Sequence, residues 1–119
     1  MITSWTIGNF KSIREQATLE LRALTIFSGV NSSGKSTLIQ SMLMVAQSLG
    51  SARAEDALVF NGRLIQLGQW GDVCHYGRDD DPLIVGFEWR PTESGESRYR
   101  AIRLGAVIRQ GQRRTTSRA

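Results

Sequence analysis

The sequence has little of several residue types, and each shortage excludes a class of protein. Its 119 residues contain one cysteine, Cys74, so no internal disulfide can form and a reducing compartment is expected. There is one histidine, His75, without a visible partner for Ser/His or Cys/His nucleophilic catalysis. Only two prolines interrupt the chain. Its length allows one domain with one hydrophobic core.

Long apolar runs are also absent. No stretch approaches the ~20 residues that cross a bilayer, and the N-terminus lacks the charged-then-apolar pattern of a signal peptide. We therefore expect a cytoplasmic protein with no membrane partner.

Lysine is scarce, since Lys11 and Lys35 are the only two, and arginine supplies nearly all the positive charge. Residues 98–119 carry seven arginines and no acid. Arginine stacks on bases and binds phosphate bidentately, which suits nucleic acid such as DNA. A solvated strand face followed by a basic tail has the same composition and is the simpler interpretation.

One stretch carries a specific chemistry. Residues 29–36 fit G-x-x-x-x-G-K-[ST], the phosphate-binding loop. Gly29 and Gly34 lack Cβ atoms, so the backbone can turn tightly and approach a phosphate closely. Lys35 supplies a charge for the β- and γ-phosphates, and the Ser36 hydroxyl is a ligand for Mg²⁺. We therefore predict ATP and Mg²⁺ as cofactors, held by Gly29, Asn31, Ser32, Ser33, Gly34, Lys35, Ser36 and Thr37.

This loop needs a strand before it and a helix after it. Residues 24–27 form a nearly continuous apolar run, typical of a strand buried on both faces. A helix over about residues 35–49, ended by Gly50, follows from apolar residues at helical spacing. The apolar positions of that helix are Leu38, Ile39, Met42, Leu43, Ala46 and Leu49.

The remaining chain alternates between polar and apolar residues, which is typical of half-buried antiparallel strands. The predicted strands are residues 2–8, 16–22, 83–90 and 98–109, with a turn at 9–13 and one helical turn within 68–77. The fold class is therefore α/β, a mixed sheet with one main helix after the phosphate loop and antiparallel strands following. We assign residues 1–109 to this domain and expect 110–119 to be a disordered basic tail.

The quoted residues resemble a known family. The Asn-Phe-Lys-Ser turn at 9–12, an amphipathic strand and "LTIFSGVNSSGKSTLIQSML" are similar to the N-terminal lobe of ABC-type P-loop ATPase heads of the SMC/RecF/OLD group. Residues 58–77 also resemble OLD-like AAA-family ATPases, some of which act in antiphage defence. The resemblance covers about residues 1–90. It implies that Lys11 contacts the nucleotide and that two heads sandwich ATP, in DNA repair or antiphage defence.

The sequence also departs from that family. Neither an apolar strand ending in Asp-Glu nor a Leu-Ser-Gly-Gly-like signature is present. The run ending at Glu88 alternates like an ordinary antiparallel strand. Gln66 and Gln69 are candidates to line the γ-phosphate, although a surface role is simpler. We therefore predict no catalytic residue, and expect slow hydrolysis unless the chain is part of a longer one or a second head completes it.

Two other functions compete with ATP binding. An Arg-rich module that binds nucleic acid or a partner, with a vestigial loop, would depend on residues 98–119. A small P-loop kinase ranks last, because antiparallel strands leave no room for further parallel units. The pair Cys74 and His75 and the acidic run 79–81 could bind a metal, but a packed pair and a solvated turn are the simpler interpretations.

Overall fold

The computed structural model describes residues 1–29, 34–50, 58–91 and 102–110. The elements are β1 (Ile2–Gly8), β2 (Ala17–Glu20), α1 (Lys35–Leu49), α2 (Trp70–Val73), β3 (Leu83–Trp89) and β4 (Ile102–Ile108). All four predicted antiparallel strands and both helices are therefore confirmed. β2 is shorter than expected, and residues 98–101 of the last predicted strand lie outside the described residues. Residues 111–119 of the basic tail lie outside the described residues, so the domain boundary stays a prediction.

The sheet has the strand order β2-β1-β3-β4, and every neighbouring pair is antiparallel. The α/β class is confirmed, but the mixed sheet is wrong for the described part of the chain. Residues 24–27 form no strand, and Leu24 and Ile26 are each 79% exposed. A continuous apolar run becomes a buried strand only where neighbours cover both faces. None of the described strands offers that cover.

The core lies between this sheet and α1, with Trp5 at its centre. The indole ring of Trp5 stacks on Phe87 of the adjacent strand, with 5.7 Å between ring centroids and 8° between planes. Its Nε1 donates a hydrogen bond of 3.1 Å to the Ser41 hydroxyl of α1. A buried indole N–H needs such a partner, so this bond fixes the helix against the sheet. The buried core residues are Trp5, Ile7, Phe10, Leu38, Met44, Val45, Leu67, Val73, Leu83, Val85 and Ile108.

Helix α1 is buried along a face that differs from the predicted apolar stripe. Its buried residues are Thr37, Leu38, Ser41, Met44, Val45 and Ser48. Ile39 and Leu49 are instead 49% and 62% exposed, so their predicted burial is wrong. The hydroxyls of Ser41 and Ser48 donate to helix carbonyls one turn earlier, which removes the cost of burying them. As predicted, Gly50 follows the last helical residue, and its N–H donates to Ala46.

Neither described helix is long and apolar enough to cross a membrane.

The turn after β1 is tied to a distant segment by the side chain of Asn9. Its Nδ2 donates to the carbonyls of Arg78 and Asp81, at 3.1 Å each, and of Pro82 at 3.3 Å. Its Oδ1 accepts from the backbone N–H of His75 at 3.2 Å. Asn9 is 5% exposed and has φ 51°, a left-handed conformation that asparagine tolerates better than most residues. One amide therefore orders the chain that leads into β3.

Glu88 joins the strands at the opposite end of β3. Its carboxylate accepts from Nε of Arg90 and from Nε of Arg103 on β4, each at 2.6 Å. These hydrogen bonds from Arg103 and Arg90 hold the pKa of Glu88 below its ordinary value, outweighing the effect of burial. The charged carboxylate is therefore part of the folded sheet.

We expect Asn9→Ala to lower the free energy of unfolding by about 2–4 kcal/mol, because buried carbonyls lose their donor and alanine tolerates the left-handed φ poorly. Urea unfolding followed by circular dichroism measures this. Asn61→Ala is the matched control, since Asn61 also bonds one backbone segment twice, at Gly68, but is exposed. Its cost should be about 1 kcal/mol or less. Equal losses in both variants would contradict the role of Asn9.

The Glu88 cluster predicts a pH dependence of stability. Because the pKa is lower in the folded than in the unfolded chain, the stabilisation is present above the unfolded value of 4.5 and is lost as pH falls through the folded value. Glu88→Gln should therefore lower the thermal midpoint at pH 7 and lower it less at pH 3. Glu20→Gln, at an exposed carboxylate 3.9 Å from Arg22, should change neither midpoint. A Glu88→Gln effect of the same size at both pH values would refute the assignment.

Candidate functional site

The candidate site is the start of α1. Gly34 precedes the first helical residue with φ 92° and ψ 9°, a left-handed conformation that favours glycine. No side chain caps this helix end, and its first turn contains no acidic residue. The first hydrogen bond of the helix runs from the Leu38 N–H to the Gly34 carbonyl, at 3.0 Å. The earlier N–H groups and the positive end of the helix dipole therefore favour an anion here.

The described part of the phosphate-binding loop places its side chains in different surroundings. The Lys35 ammonium donates to the carbonyl of Gly29, the first residue of the motif. Ser36 is exposed, as a Mg²⁺ ligand must be. Thr37 is buried, and its hydroxyl lies 3.0 Å from that of Ser12. Asn31, Ser32 and Ser33 lie outside the described residues, and their contacts stay predictions.

The turn at residues 9–13 packs directly against this helix start. A Cβ atom on Gly34 would lie 3.5 Å from the Ser12 hydroxyl oxygen and 4.0 Å from Cγ1 of Ile13. Phe10 is fully buried and anchors the turn in the core. The fold therefore brings the Asn-Phe-Lys-Ser turn and the phosphate-binding loop together, as the family resemblance implies.

Lys11 sits in this turn in an unusual conformation. Its φ is 47°, its N–H donates to the Val73 carbonyl at 2.7 Å, and its own carbonyl lies 2.7 Å from Nδ1 of His75. Among the residues that the structure describes, its ammonium makes no hydrogen bond or ion pair. Sequence reasoning included the turn at 9–12 but missed His75 and the hydrogen bonds of Asn9 and Ser12. His75 lies 64 residues from Lys11, and no sequence periodicity connects them.

The two candidate glutamines lie elsewhere. Gln47, on the last turns of α1, donates to Val59 and Ile65 carbonyls and accepts from the Ile65 N–H. Because Gln47 is twelve residues beyond Lys35, the loop that carries Gln66 meets α1 about 18 Å from its start. Gln66 is therefore not at the phosphate-binding loop. Gln69 is exposed at the start of α2, where its backbone N–H donates to the Asp72 carboxylate at 2.9 Å.

The acidic strand candidate is also excluded as a magnesium site. Residues 83–88 lie in antiparallel β3, which confirms the ordinary strand interpretation. The turn that begins at Asn9 lies next to the start of β3. Glu88 lies five residues beyond Leu83, so it is about 17 Å farther along the strand. Its carboxylate is already bound by two guanidinium groups. One of them, Arg103, belongs to the arginine-rich segment, most of whose other arginines lie outside the described residues.

Cys74 and His75 form a packed pair with separate partners. Burial, together with the negative charges of Asp79 and Asp81, raises the pKa of the Cys74 thiol to about 11. A thiol held in its protonated form is a poor metal ligand. His75 is held at Nδ1 by Lys11, and within the described ranges no three His, Cys, Asp or Glu side chains are grouped for a metal.

The same part of the chain matches a known family. Residues 1–74 match the family described as AAA ATPase domain, a stretch that contains β1, the turn, the phosphate-binding loop, α1 and α2. No curated protein and no solved structure matches the chain. The match covers more than half of the sequence and includes every residue predicted to contact nucleotide. The chain therefore belongs to the AAA ATPase domain family.

Proposed function

We propose that this protein binds ATP with Mg²⁺ through a Walker A loop at residues 29–36. The observation that carries the proposal is the start of α1, a helix end with no capping side chain among the described residues, no acid in its first turn and the Lys35 ammonium at the Gly29 carbonyl. Such an end stabilises an anion through its N–H groups and its dipole. Membership of an ATPase family narrows that anion to a nucleoside triphosphate.

Each residue of the loop has a distinct role in this proposal. Lys35 exchanges the Gly29 carbonyl for the β- and γ-phosphates, and the exposed Ser36 hydroxyl binds Mg²⁺. The backbone N–H groups of residues 31–35 and of Thr37 bind the phosphate oxygens. Lys11 contributes a second positive charge from the adjacent turn.

We further propose that the chain acts as part of a cytoplasmic SMC/RecF/OLD-like ATPase, in DNA repair or antiphage defence, with a second ATPase head as its partner. The sequence contains no Asp-Glu strand and no signature motif to position an attacking water. The exposed apolar residues Leu24 and Ile26, next to the loop, support an additional packing partner. Hydrolysis then depends on groups that a partner contributes, whereas ATP binding does not.

Titration with a fluorescent ATP analogue tests ATP binding. We expect binding that depends on Mg²⁺, and Lys35→Ala should weaken it about 10- to 100-fold through loss of a charged phosphate contact. Arg63→Ala is the charge-matched control, because this exposed arginine lies in the loop near the far end of α1. It should bind like the wild type.

Two outcomes would contradict the proposal. One is the absence of Mg²⁺-dependent binding by the folded wild-type chain, and the other is equal binding by the Lys35 and Arg63 variants. The alternative nucleic-acid module predicts instead an affinity for DNA or RNA that falls steeply with salt and ignores both ATP and Lys35.

A further inference from the structure

Lys11 is held in its left-handed conformation at both of its backbone polar groups. The N–H is bound by the carbonyl of Val73, the last residue of α2, and the carbonyl by the imidazole of His75. Residues other than glycine rarely adopt such a positive φ, and the conformation persists only where surrounding contacts impose it. Segment 73–75 therefore acts as a two-point clamp on Lys11.

His75 is the side-chain half of this clamp and is itself well fixed. A carbonyl oxygen only accepts, so the 2.7 Å contact requires the proton on Nδ1 of the imidazole. The backbone N–H of His75 is bound to the buried Asn9 amide at 3.2 Å. His75 is thus hydrogen-bonded to the turn through both its backbone and its ring. The Lys11 backbone cannot leave its conformation without breaking a hydrogen bond.

The clamped residue is close to the phosphate-binding loop. The hydroxyl of Ser12, the next residue, contacts the Thr37 hydroxyl. It also lies beside the position that a Cβ atom on Gly34 would occupy. The backbone conformation of Lys11 sets the direction in which its side chain leaves the turn. Its ammonium has no partner in the described chain, unlike the ammonium of Lys35.

We propose that His75 is a positioning residue for nucleotide binding: its Nδ1–H holds the Lys11 carbonyl, and so keeps the Lys11 ammonium directed at the bound triphosphate. This inference rests on the proposed function. The chemistry is that of an N–H donor that positions a cationic side chain, and His75 itself does not touch the nucleotide.

A double-mutant cycle tests this with the same fluorescent ATP analogue and Mg²⁺. His75→Ala should weaken binding about 3- to 10-fold, the effect of losing one positioning hydrogen bond, and Lys11→Ala should weaken it at least as much. The double variant should bind no more weakly than Lys11→Ala alone, because His75 acts through Lys11. His75→Asn should restore binding to within about twofold, since its amide N–H takes the place of Nδ1–H.

Trp70→Phe controls for a purely structural effect. It removes the hydrogen bond of 2.8 Å from Trp70 Nε1 to the Asp79 carbonyl. This bond joins the two sides of residues 73–75 but does not involve Lys11. It should lower the thermal midpoint without changing the affinity. If His75→Ala does not fold, the similar-sized pair His75→Asn and His75→Asp replaces it, because only the asparagine can donate to the Lys11 carbonyl.

The two proposals fail in different ways. Equal affinity of wild type and His75→Ala, equal affinity of the Asn and Asp variants, or a full His75→Ala effect in the Lys11→Ala background would each overturn the positioning role while Lys35 dependence remained. Loss of Lys35 dependence in the otherwise wild-type chain would instead overturn ATP binding itself.

Discussion

The structure depends on the hydrogen bonds that the turn at residues 9–13 makes with the segment before β3. Asn9 alone satisfies three carbonyls and one N–H of that segment. Buried backbone groups without partners cost free energy, so this amide stabilises the path of the chain from α2 to β3. The same turn, through Ser12, contacts the start of α1. The sheet and the phosphate-binding loop are thus joined at one place.

The interface between α1 and the sheet is more polar than a hydrophobic core usually is. Ser41 receives the indole N–H of Trp5 and in turn donates to the Leu38 carbonyl. Ser48 donates to Met44 and accepts from the backbone N–H of Val59. Small hydroxylated residues let the helix approach the sheet closely while leaving no buried side-chain polar atom unpaired in the described chain. The orientation of α1, and therefore of its N-terminal end, follows from these pairings.

Charge is distributed so that the positive end of α1 stays available. The first turn of the helix has no carboxylate, and the two lysines of the sequence lie at the loop and in the adjacent turn. The buried carboxylate of Glu88 is neutralised at the other end of β3 by arginines. Anion binding at the loop thus meets no opposing charge from the described part of the helix, which is the electrostatic condition for holding a triphosphate.

The sequence by itself determined the local elements and the chemistry of the loop. Residues 16–22 alternate strictly, and Gly29, Gly34, Lys35 and Ser36 have the spacing that predicts a phosphate-binding loop, because these signals depend only on neighbours along the chain. The family match agrees with that interpretation.

Only the tertiary structure decided what covers each element. Leu24 and Ile26 belong to a run with the composition of a buried strand but lie exposed, and α1 buries Ser41 and Ser48 rather than Ile39 and Leu49. The contact between Lys11 and His75 could not be predicted either, because residues 64 positions apart meet only in the folded chain. Local periodicity states which residues share a face, whereas the packing of distant segments decides which face is buried.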